Sequence, residues 1–97
     1  MEPHGPERMA ALNHKAQRLS DTGDQEGAVA LVEEAINIAD RAGYRHHQAA
    51  LLNHLADLRH RAGLEREAQE ALTEAVKIFA DIDAGEFEPE VWLRREW

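Results

Sequence analysis

Displaced by 40 residues, this chain falls on itself. Leu12, Asn13, His14, Ala16, Gly23, Ala28, Glu34, Ala35 and Ile38 land on Leu52, Asn53, His54, Ala56, Gly63, Ala68, Glu74, Ala75 and Ile78. These nine identities fall in the 32 positions from 12 to 43, where chance at this composition gives roughly three, and a period of this size is the signature of a repeat architecture. Each unit of such an array is one supersecondary element that cannot cover its own apolar face, so neighbours must stack. The repeat therefore constrains the fold first, and it directs the function towards binding more than towards chemistry.

Glycine and alanine define the elements. Pro6 suits the first turn of a helix, where its missing N–H has no intrahelical partner to lose. Met9, Leu12, Ala16 and Leu19 then recur at helical spacing up to the Asp21-Thr22-Gly23-Asp24 turn. Gly23 supplies a left-handed stop, and Asp24 is an N-cap for the next helix. That helix carries Ala28, Leu31, Val32, Ala35, Ile36, Ile38, Ala39 and Ala42 and ends at Gly43. The second unit repeats the plan, from Leu51 to Gly63 and from Ala68 to Ile82, with Gly85 as its expected end. Loops this short force consecutive helices to run antiparallel. The expected fold is all-α, two tandem antiparallel helical hairpins.

Small residues mark the close approaches. Ala16 and Ala56 precede the first glycine of each unit, and Ala28 and Ala68 follow it by five. The order Leu12, Ala16, Gly23, Ala28, Val32, Ala35 is matched by Leu52, Ala56, Gly63, Ala68, Leu72, Ala75. This order resembles the tetratricopeptide repeat family. The 40-residue period is similar to its long-helix variety, found in kinesin light chain and in bacterial regulators. The resemblance spans roughly residues 7 to 83, with repeat 1 at about 7–43, repeat 2 at about 44–83 and a tail at 86–97 within one domain. It implies an α-solenoid fragment. Two positions depart from the pattern: Lys15 stands where Leu55 is apolar, and Arg59 where Leu19 is apolar.

The resemblance also implies a concave groove, lined by the first helix of each unit, in which a peptide lies extended. On this chain the line is Ala10, Asn13, Gln17 and Ser20, then Ala50, Asn53, Asp57 and His60. Spacings of three and four keep each set on one helix face. Asn13 and Asn53 draw most interest, because asparagine is a poor helix-interior residue. A carboxamide offers donors and an acceptor, so it can pair with both polar groups of one peptide unit. A ladder of asparagines on a ligand backbone, idle remnants of duplication, and an interhelix bond all remain open at this level. The basic clamp that some family members use for a C-terminal carboxylate has no counterpart here, which leaves a neutral or basic partner segment.

Composition limits the alternatives. Nineteen acidic against eleven basic residues give a formal charge of −8, which disfavours nucleic acid as a partner. There is no cysteine, hence no disulfide and no thiolate metal site. The first residues lack an apolar leader, and no run approaches a membrane span, so the expectation is a cytoplasmic protein with no membrane partner. Six histidines invite a metal, but adjacent His46 and His47 point to different helix faces, and His54 with Asp57 makes only two ligands where zinc needs three or four. The histidines are therefore expected to be solvated or at edges, with no metal and no cofactor. Their protonation would still move the formal charge from −8 to −2 and alter the attraction for a charged partner between pH 7 and 5. No nucleophile–base pair, phosphate loop or H-E-x-x-H string stands out, so an enzyme is not expected.

Both tryptophans lie in the tail, where Phe87, Trp92, Leu93 and Trp97 sit among charged residues. Two uses are open: a short C-terminal capping helix over the last hairpin, or an arm that contacts a second copy in a homodimer. The leading expectation is a non-enzymatic protein–protein interaction module that binds a peptide or partner protein. The alternative is a homo-oligomerisation domain whose repeat face and tail meet another copy.

Overall fold

A computed structural model describes residues 5–82. It is all-α, with four helices and no strand among the described residues: α1 Gly5–Asp21, α2 Gln25–Ala42, α3 Arg45–Arg61 and α4 Glu65–Ile82. Pro6 falls in the first turn of α1. The expected capping helix and the stop at Gly85 lie outside the described residues.

One device ends three helices. Gly23, Gly43 and Gly63, spaced by 20 residues, have φ of 95°, 77° and 82°. At each, the glycine N–H donates to the carbonyl three residues back (Ser20, Asp40, His60). The following N–H donates to the carbonyl five back: Asp24 to Leu19, Tyr44 to Ala39 and Leu64 to Arg59. This is the Schellman pattern, which satisfies carbonyls that a helix end otherwise leaves bare. α2 begins on Asp24, whose carboxylate accepts the Gly27 N–H at 2.9 Å. α3 begins on Tyr44 without a side-chain cap.

Side-chain pairs give the stacking. Arg45 reaches Asp81 at 3.2 Å, and Arg59 donates to the Glu67 carbonyl at 3.2 Å, so α3 and α4 run antiparallel over their full length. Gln48 to Asp40 and Arg59 to Glu33, both at 3.4 Å, set α2 and α3 antiparallel. Arg8 to Glu34 at 3.7 Å joins α1 to α2. Among the described residues, extensive packing occurs only between consecutive helices. The core is alanine-rich: Ala16, Ala28, Ala35, Ala39, Ala49, Ala56 and Ala75 are fully buried, around Val32, Leu58 and Leu72. Small side chains let helix axes approach towards the lower end of the usual ~8–10 Å range.

The two departures from the repeat pattern are resolved differently. Lys15 is exposed. Arg59 lies half-buried against α2 and α4, with its guanidinium held by Glu33 and the Glu67 carbonyl. Its stem replaces apolar packing while its head stays paired.

Candidate functional site

The residues expected to line a groove lie on α1 and α3. Two hydrogen bonds fix how these helices lie. His54 Nδ1 is 2.5 Å from Asn13 Oδ1, and Arg61 Nη1 is 3.4 Å from Ser20 Oγ, each across 41 residues of sequence. A carboxamide oxygen only accepts, so His54 Nδ1 carries the hydrogen. Contacts seven residues apart on both helices with the same offset require α1 and α3 to be parallel. Their register is one residue longer than the sequence period. Further along, Met9 and Ala10 meet Ala50 and Leu51 around a shallow apolar cavity of about 180 Å³.

That single-residue difference decides the partner of Asn13, while most of the other site residues are held by local contacts. Asn13 forms an interhelix bond, and its partner is His54 and not Asn53. Ser20 is 5% exposed, donating to Gln25 Oε1 at 2.8 Å while Gln25 Nε2 returns a bond to the Ser20 carbonyl at 3.2 Å. It belongs to the α1–α2 corner and not to an open surface. Gln17 is exposed and donates to Asp21 at 2.9 Å. Asp57 pairs with Arg61 one turn on at 3.2 Å, and His60 meets Glu65 at 2.7 Å. Asn53 is half-buried, and its Oδ1 is shielded with no hydrogen-bond partner among the described residues.

The histidines are not uniformly at the surface. His14 is exposed, but His54 sits in the seam between hairpins on Asn13, and the His46 ring lies 6.3 Å from that of Phe79. His47 is 5.7 Å from Tyr44. The solvated-histidine expectation is therefore corrected for His54, because the 41-residue register turns it towards α1. Among the described residues no three His, Asp or Glu side chains gather as a metal site, and no helix is long and apolar enough to cross a membrane. Phe87, Trp92, Leu93 and Trp97 lie outside the described residues.

The opposite side of the stack carries a feature the sequence reading did not find. α2 and α4 flank α3 and leave an open groove of about 450 Å³. Leu52, Leu55 and Arg59 of α3 lie at its base, the two leucines almost fully buried, and Glu33, Glu70 and Glu74 stand on its walls. Its one available signal was Glu70 and Glu74, like charges one turn apart beside an apolar position.

Comparison with known proteins adds no relative: no family model, curated protein or solved structure matches the chain.

Proposed function

We propose that this chain is a non-enzymatic protein-interaction module of tetratricopeptide type, which holds an extended segment of a partner along the α1/α3 side. The observation that carries the reading is Asn53. A shielded carbonyl oxygen without a partner costs about 1–3 kcal/mol, and asparagine is itself unfavourable in a helix interior. A residue this expensive to local stability is accounted for by a ligand that completes its hydrogen bonds. Rotation about χ2, a soft torsion in asparagine, turns the oxygen outwards, where it can accept the N–H of a peptide unit. Gln17 and Asp57 continue the polar line on neighbouring turns.

Self-association rests on the aromatic tail, whereas a polar α1/α3 side suits a foreign partner better than an obligate homodimer face, which is usually more apolar. A random peptide library displayed on phage, selected against the immobilised full chain, tests the reading. Selected peptides should bind Asn53→Ala about tenfold or more weakly than wild type, matching the loss of one or two hydrogen bonds, with the circular dichroism spectrum retained. Selection of no peptide, or equal binding by Asn53→Ala, would overturn it. A dimer in light scattering that Trp92→Ala/Trp97→Ala converts to monomer would favour the homo-oligomer instead.

A further inference from the structure

The groove between α2 and α4 is lined by carboxylates beside the partly covered Ile36, and the chain itself shows what such a lining accepts. Arg59, on α3 at one end of the groove, lays its side chain between the walls, with one nitrogen 3.4 Å from Glu33 of α2 and another 3.2 Å from the Glu67 carbonyl of α4. Only 21% of that side chain is exposed. From there the walls continue. Antiparallel packing places Ala71 beside Leu55 and Glu74 beside Leu52, so Glu70 and Glu74 run on along α4 towards the middle of α3, facing Ile36 and Asn37 of α2.

Unlike Glu33, these two carboxylates have no ion-pair partner among the described residues. Arg66 and Lys77 share their helix, but neither forms an ion pair with Glu70 or Glu74 among the described residues. Like charges one turn apart on a helix repel. Here the repulsion stands beside Ile36, which is only partly covered. A volume of about 450 Å³ falls in the range of roughly 300–1,000 Å³ typical of binding clefts. It suits a long cationic side chain, whose methylenes can lie on the exposed part of Ile36 while its head reaches the carboxylates.

We propose that this groove is a second docking surface, taking a basic segment of a partner protein that inserts a lysine or arginine between Glu70 and Glu74, away from the end that Arg59 occupies. The proposal deepens the protein-binding reading and shares with it only the premise that the occupant is a peptide. Charge complementarity selects the partner: the groove walls are acidic within a chain of formal charge −8, so opposite charge favours both encounter and register.

The probe is a fluorescein-labelled Gly-Lys-Lys-Leu-Arg-Lys-Gly peptide, with a counterpart carrying glutamates for the cations. Fluorescence anisotropy should show binding of the basic peptide alone. Glu70→Gln/Glu74→Gln, which removes a repelling pair and should fold, is expected to weaken it about tenfold, and Glu70→Lys/Glu74→Lys to abolish it. Glu7→Gln/Glu26→Gln removes the same charge away from the groove and should change the affinity less than about twofold. Amide shifts in NMR should cluster at Glu33, Ile36, Glu70 and Glu74. Equal weakening by both glutamine pairs would reduce the effect to net charge and overturn the proposal. A footprint on Asn13 and Asn53 would overturn it too, while supporting the α1/α3 site. Tighter binding by Arg94→Glu/Arg95→Glu would identify the chain's own arginines as the occupant, again against an external partner.

Discussion

Asn13 and Asn53 are repeat mates with different chemistry. Asn13 bonds across the seam to His54, whereas the Asn53 oxygen is shielded and unbonded. Residue identity follows the 40-residue period, but bonding follows the 41-residue offset of the stacked helices. Replacing Asn53 by leucine, similar in size, should therefore raise the unfolding free energy by about 1 kcal/mol in urea titration, while peptide binding falls. A loss of stability would show that Asn53 carries a structural bond. A second test concerns Gly27, where an added Cβ would lie 2.4 Å from the Asp24 carboxylate that caps α2. Gly27→Ala gains about 1 kcal/mol of helix propensity but displaces a cap of about the same worth. It should be near neutral in wild type and stabilising in an Asp24→Ala background, by thermal denaturation. An equal gain in both backgrounds would separate Gly27 from the cap.

Helix boundaries were the most legible part of the sequence, and the structure shows why. Gly23, Gly43 and Gly63 close their helices with the same pair of backbone bonds, a local arrangement written in a single residue type. An alanine Cβ at any of the three would meet nothing within 4 Å, so only the left-handed backbone resists substitution. Gly→Ala at 23, 43 or 63 should therefore cost a similar ~1–2 kcal/mol each, read as equal shifts in urea midpoint. A markedly larger cost at one site would reveal a contact there. The buried faces of the helices were also legible, since Ala16, Ala28, Val32, Ala35 and their mates are buried as their spacing predicts. What periodicity could not supply was the offset between α1 and α3, which depends on how side chains of different size interdigitate. That offset placed His54 in the seam, whereas Ser20 was drawn into the α1–α2 corner by Gln25, a pairing of side chains that periodicity does not show either. The α2/α4 groove was hidden for a related reason: its walls belong to helices that are not consecutive, and no local pattern joins Glu33 to Glu74.

On the scale of the molecule, the four helices form a slab of 38 × 36 × 15 Å. A closed bundle of ~27 Å helices packed ~10 Å apart would be long and narrow, about 15 Å in two directions. The stack is open, with α1 and α3 towards one side and α2 and α4 towards the other, and both proposed docking surfaces exist only because of that. Because the wall carboxylates are solvent-facing, binding in the α2/α4 groove should weaken steeply with added salt, whereas carboxamide pairing on the α1/α3 side should change little; anisotropy titrations at low and high ionic strength would show the contrast. The parallel relation of α1 and α3 underlies everything else, and the cysteine-free chain makes it measurable by double electron–electron resonance between spin labels on introduced cysteines. Labels at Ala10/Ala50 and at Gln17/Asp57 should give matching short separations, with the crossed pair Ala10/Asp57 longer by several ångströms, as a seven-residue helical rise of ~10 Å demands. A crossed pair as short as the matched ones, or matched pairs that differ by that rise, would contradict the architecture and both surfaces with it.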